Sequence, residues 1–148
     1  MFRPRLPKDL SEKIDALCAK GRKAWLQGRL EEAEQCVLTA WNELPEPKMG
    51  HDYYPEVLSR GIVTFYQETK QFPKAIKWLD TLEKAYDPDG AKNASVLFKR
   101  ATVYFDAGRL DEAFSIFDGL YKTFKTRPFQ GSDKRYLDFY KKRINSIK

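Results

Sequence analysis

Apolar residues recur at three- and four-residue steps along most of the chain, which is the spacing of helices with one buried face. In the first such segment, which begins at Lys8, the residues Ile14, Ala24 and Trp25 fall on that face. No run of five or more residues alternates between apolar and polar side chains as a strand would. The pattern therefore predicts an all-α protein of about seven antiparallel helices.

Glycine and proline residues predict where helices end and begin. Gly28 and Gly108 follow apolar-periodic segments, and glycine readily adopts the left-handed conformation that ends a helix. Pro73 falls in a predicted first turn, where its missing N–H costs nothing. We expect Ser132 to cap the last helix.

Breaks in the pattern separate the predicted helices. Prolines and turn residues interrupt the periodicity at residues 45–55, 87–90 and 127–131. Residues 1–7 contain two prolines, so we expect a frayed lead-in there.

One short motif occurs three times, at residues 107–117, in a near copy at 27–37 and in a looser copy at 70–79. In each copy a glycine or polar turn stops one helix, an apolar residue fills the corner, and acidic residues or proline open the next helix. An alanine follows where two helices must touch. This repetition predicts that Ala33, Ala75 and Ala113 occupy equivalent positions in successive helical hairpins.

The motif resembles the tetratricopeptide (TPR) repeat, a helical hairpin of about 34 residues. The family's small residue deep in the first helix of a repeat matches Gly21 and Ala101, and its closing proline matches Pro45. The resemblance implies a right-handed α-solenoid, the TPR-like superhelix; the alternative is a generic helical bundle. We expect one domain over residues 1–148, with a lead-in at 1–7, repeats at 8–47, 53–89 and 92–127, and a capping helix at 132–148.

The same resemblance implies a protein-protein interaction module or scaffold. In TPR proteins the first helix of every hairpin lines a concave groove that binds a peptide, a helix or a folded partner. The arrangement also resembles small bacterial repeat proteins of the kind encoded beside secreted toxins, and that resemblance implies a chaperone or immunity partner. Mapped by repeat phase, the candidate partner-binding residues are Arg22, Trp25, Arg60, Gln67, Phe98, Thr102 and Phe105. Tyr140 of the last helix is a further candidate, expected to close one end of the groove.

These side chains suit an interface, although a second interpretation stays open. Trp and Arg often dominate binding hot spots, and arginines on one wall favour an acidic partner. Aromatic residues at helical spacing, however, more often belong to a core. The aromatic candidates therefore have two interpretations, as interface residues or as core residues.

The sequence offers no catalytic constellation. His51 is the only histidine, and none of the common nucleophile, phosphate-loop or metalloprotease motifs is present. Cys18 and Cys36 lack CxxC spacing and are expected to be reduced core residues of a cytosolic protein. We therefore expect no enzyme, no cofactor and no metal.

The charge balance adds a second hypothesis. The formal net charge of +6 suits acidic partners, which include nucleic acid. An RNA-binding helical-repeat protein that uses the basic, aromatic-containing face at 136–148 is the alternative function, disfavoured because no known RNA motif occurs. The start has no apolar run of a secretory signal and no window suggests a membrane span, so we expect a cytoplasmic protein.

Overall fold

The computed structural model describes residues 2–86 and 93–148, which contain seven α-helices and no strand. The prediction of an all-α protein is therefore confirmed for this part of the chain. The predicted break at 87–90 lies outside the described residues. The helices are α1 (Lys8–Leu26), α2 (Leu30–Asn42), α3 (Tyr54–Glu68), α4 (Phe72–Tyr86), α5 (Ala94–Asp106), α6 (Leu110–Phe124) and α7 (Lys134–Ser146).

The chain divides into two compact units, Met1–Gly90 and Ala91–Lys148, called here the first and second unit. In the first unit α1 pairs with α2 and α3 pairs with α4, while α2 also packs on α3. In the second unit α5 pairs with α6, and α7 packs on α6 beside a short 3-10 turn at Arg127–Phe129.

The three copies of the motif form the same tight corner. The second residue after each first helix has a left-handed backbone, with φ of 77° at Gly28, 60° at Lys70 and 82° at Gly108. The next N–H donates back to a carbonyl five residues earlier, at 2.8 Å in every copy; these bonds are Arg29 to Ala24, Gln71 to Tyr66 and Arg109 to Tyr104. Such bonds satisfy carbonyls that the helix end leaves open.

The three alanines hold equivalent places in their hairpins. Ala33, Ala75 and Ala113 are each the fourth residue of their helix, and each is buried. Their N–H groups donate to the carbonyl of the residue four positions earlier, which is the residue just before the helix begins, at 3.0, 3.1 and 3.1 Å. A small side chain is needed there because the paired helix leaves no room for a larger one.

The lead-in is not frayed, and that prediction is wrong for residues 2–7. Leu6 is buried, and Nη1 of Arg3 donates to the carbonyl oxygen of Ala85 at 3.0 Å. Arg3 also forms an ion pair with Glu56, and the Asp52 N–H donates to the Pro4 carbonyl at 2.9 Å. These contacts anchor the segment although its prolines keep it out of a helix.

The second unit has an aromatic core that extends into a predicted break. Phe117 is fully buried, and Phe129 from the 3-10 turn packs 5.3 Å from it. Tyr136 and Tyr140 complete this core from α7. The cap of α7 is Asp133 rather than Ser132, because the Asp133 carboxylate accepts the Arg135 N–H at 2.9 Å.

Some apolar residues at helical spacing face solvent, although the periodic pattern places them on the buried faces of their helices. Val57, Phe124 and Ile147 are 43%, 40% and 65% exposed. Phe124 and Ile147 lie at helix ends, where the last turn projects past its neighbour and has little to pack against. Val57 lies in the first turn of α3, beside the groove described next.

Candidate partner-binding groove

The first unit contains an apolar cavity of about 290 Å³, which we call the α1–α3 groove. Two of the predicted site residues, Arg22 and Trp25, line it. The other lining residues are Cys18 and Gly21 from α1, Ala33 and Val37 from α2, and Val57, Leu58, Gly61 and Phe65 from α3.

Two side-chain contacts connect α1 to α3. The Tyr54 hydroxyl donates to Oδ1 of Asp15 at 2.9 Å. The rings of Trp25 and Phe65 meet edge to face, with centroids 5.4 Å apart. Because the earlier residues of both helices meet each other, and so do the later ones, α1 and α3 run in the same direction with the groove between the two contacts.

Small residues create the groove. A Cβ on Gly21 would lie 3.0 Å from the Cβ of Cys36, so this glycine allows α1 and α2 to approach closely. A Cβ on Gly61 would meet no atom within 4 Å in the part of the chain that the structure describes. Ala33 and Val37 line the groove from α2.

Arg22 supplies positive charge at this apolar surface. Its side chain is exposed and forms no ion pair with the described residues. Burial, followed by the nearby Asp15 carboxylate, raises the pKa of the Cys18 thiol. The Cys18 thiol therefore stays protonated at neutral pH and lines the groove as an apolar group. Both cysteines are free.

Arg60 and Gln67 lie on α3 but do not line the groove. Nε of Arg60 donates to the Tyr86 hydroxyl at 3.1 Å, and the guanidinium carbon lies 5.1 Å from the centre of that ring. Gln67 is buried within the first unit. Only Arg60 of this pair retains a partly accessible side chain.

The four predicted site residues of the second unit contribute to its interior. Phe98 lies 5.3 Å from Phe129, and Phe105 lies 5.3 Å from Tyr136. Thr102 and Tyr140 are buried; the Thr102 hydroxyl donates to the Lys99 carbonyl at 2.7 Å, and the Tyr140 hydroxyl donates to Asp118 at 2.8 Å. The structure thus gives all four a packing role.

The excess positive charge lies in the second unit. Residues 91–148 carry 13 Lys and Arg against 6 Asp and Glu, a formal charge of +7, while residues 1–90 carry 14 against 15. On α7 the cations Lys134, Lys141 and Lys142 are exposed. The tyrosines between them are buried. The guanidinium carbons of Arg135 and Arg143, however, lie 5.8 and 5.4 Å from the ring centres of the partly exposed Phe105 and Phe139, so basic and aromatic groups do meet at this surface.

Sequence reasoning missed Gly61 and Phe65 as groove residues. The repeat phase selects other positions of α3 as groove residues. At a glycine it predicts no contact with a partner, because glycine has no side chain. The signal was a glycine in the middle of an otherwise strong helical pattern, where it is about 1 kcal/mol less favourable than alanine.

None of the described helices is long and apolar enough to cross a membrane. No family model and no curated protein matches this chain.

Proposed function

We propose that the protein is a non-enzymatic interaction module of tetratricopeptide-repeat type, which binds a protein partner in the α1–α3 groove. The observation that carries this proposal is the groove itself, an open apolar surface with an arginine at its edge. Apolar surface that stays open to solvent between packed helices costs free energy unless something covers it. A partner that supplies apolar side chains and a carboxylate would cover it.

The repeated corners support the repeat-type architecture. Three hairpins share the same left-handed turn residue, the same returning hydrogen bond and the same buried alanine. In a solenoid, each hairpin completes its core by stacking on its neighbours. The packing of α2 on α3 in the first unit is a contact of this kind.

Residue types at the groove suit binding. Trp25 presents a large, rigid ring, and Arg22 presents planar guanidinium donors; both types are enriched among residues that dominate binding energy. The positive charge of Arg22 at the groove favours an acidic partner over a basic one.

Affinity capture from the source cells, with a C-terminal tag and identification of bound proteins, tests the proposal. The wild type is compared with Arg22→Glu and Trp25→Ala, and with Lys20→Glu as a charge-matched control elsewhere on α1. We expect one partner to bind the wild type and Lys20→Glu and to be lost from the two groove variants. Equal capture by all four proteins would place the interface outside the groove. Circular dichroism checks that each variant is folded.

A second candidate function is binding of RNA through the second unit, favoured by its formal charge of +7. Tyr136 and Tyr140 are buried, so base stacking would fall to partly exposed rings such as Phe105 and Phe139, beside phosphate contacts from the cations. Filter binding of a 20-nucleotide RNA should then weaken steeply with salt and with Lys141→Glu. Weak, salt-insensitive binding would dismiss this candidate.

A further inference from the structure

Gly61 lies in the interior of α3 without a reason in the packing of its own chain. Glycine is the least favourable residue after proline at such a position. Gly21, the other glycine of the groove, is explained by its approach to Cys36. At Gly61 a Cβ would enter open space, as judged from the described residues.

The open space above Gly61 belongs to the α1–α3 groove. Val57 lies one helical turn before Gly61 and Phe65 one turn after it, so the glycine is a gap between two apolar side chains on one face. Any larger residue would fill this gap. The gap is therefore the part of the groove that the glycine keeps available.

We propose that Gly61 keeps this gap open for one large apolar side chain from a helix of a partner protein, and that Arg22 pairs with a carboxylate one turn away on that helix. The inference rests on the proposed function and specifies the chemistry of the partner. It makes Gly61 a specificity-determining residue of the groove.

The dimensions of the groove favour side chains over a whole small molecule. Its volume of about 290 Å³ lies at the lower end of the roughly 300–1,000 Å³ typical of small-molecule sites. The contacts Asp15–Tyr54 and Trp25–Phe65 bound it at positions ten residues apart on α1, roughly 15 Å along the axis. A groove of that length spans nearly three turns, at about 5.4 Å each, of a partner helix that lies along it.

The charge at the groove favours an acidic helix. Arg22 lines the groove, is exposed and has no ion-pair partner among the described residues, while Asp15 already accepts the Tyr54 hydroxyl. A carboxylate placed three or four residues from the apolar anchor would lie on the same face of the partner helix and reach Arg22.

A phage-displayed library of random sixteen-residue peptides tests the proposal, with selection on the full-length wild type and depletion on Gly61→Leu. We expect enriched peptides to carry Leu, Met or Phe with Asp or Glu three or four residues away. Synthetic versions should lose at least tenfold in affinity on Gly61→Leu and on Arg22→Glu. Gly119→Leu is the matched control, because Gly119 is also helical and faces open space but lies outside the groove.

Several outcomes would overturn the inference. These are the absence of enrichment over Gly61→Leu, enrichment without acidic residues, and equal loss of affinity on Gly119→Leu. Sedimentation analysis that shows a wild-type dimer and a Gly61→Leu monomer would assign the groove to a second copy of this chain instead. If cellular capture depends on Arg22 and Trp25 but not on Gly61, this inference fails and the proposed function stands.

Discussion

Replacing Lys70 with glycine is expected to stabilise the first unit. Lys70 occupies the corner position that Gly28 and Gly108 hold in the other two hairpins, and its φ is 60°. In this left-handed region the Cβ of an L-residue crowds the following carbonyl oxygen, which costs roughly 1–2 kcal/mol. Glycine has no Cβ and avoids this cost.

The net stabilisation expected from Lys70→Gly is smaller than the steric cost that the lysine Cβ imposes. Glycine loses more backbone freedom on folding, which offsets roughly 0.5–1 kcal/mol of the gain. The lysine side chain is exposed, so its removal sacrifices little packing. We therefore expect Lys70→Gly to raise the free energy of unfolding by about 0.5–1 kcal/mol and the melting temperature of the first unit by roughly 2–8 °C.

Urea denaturation followed by far-ultraviolet circular dichroism measures the change. Gly28→Ala and Gly108→Ala are the converse variants, since a Cβ at either position meets no described atom within 4 Å and adds only backbone strain. Each should destabilise its unit by about 1 kcal/mol. Lys70→Ala separates charge removal from backbone relief: if it stabilises as much as Lys70→Gly, the conformational explanation is refuted.

Three further variants probe other parts of the fold. Phe117→Ala should cost about 3–5 kcal/mol in urea denaturation, because it empties the centre of the aromatic core; a loss under 1 kcal/mol would contradict that position. Arg3→Ala should lower stability by about 1 kcal/mol and speed proteolysis of the lead-in, whereas Arg5→Ala, at an exposed residue, should do neither. Burial, followed by the hydrogen bond to Asp118, raises the pKa of Tyr140 to about 12. The phenol of Tyr140 ionises near pH 10 in the unfolded chain. Its contribution to the free energy of unfolding is therefore fully present below pH 10 and is lost as the pH rises from about 10 to 12. Above pH 10 the free energy of unfolding of Tyr140→Phe should therefore decline less steeply with pH than that of the wild type. Equal slopes for the two proteins would reject this explanation.

The corners were the most predictable part of the fold. Glycine at positions 28 and 108 indicates a left-handed turn because few other residues tolerate it. The lysine at position 70 carries no such signal, and its conformation follows from the hairpin that α3 and α4 form around it. Local preference is overridden there by packing of the two helices.

The candidate site was less predictable, because helical spacing gives the face of a residue and not what covers that face. Trp25 and Tyr140 both fall on apolar faces, yet Trp25 lines an open groove and Tyr140 of α7 is buried against rings of α6. Phe129 has no periodic context at all, since it lies in a proline-containing break. Its burial depends on residues distant in sequence.

The anchored lead-in has a consequence for the order of folding events. Helical hairpins join residues close in sequence and form quickly, whereas Arg3 and Ala85 meet across 82 positions. Ordering that long intervening loop costs entropy until the hairpins have formed and brought its ends together. Docking of the first residues therefore completes the first unit late, and a bulky amino-terminal fusion would interfere with this final closure while leaving the hairpins able to form.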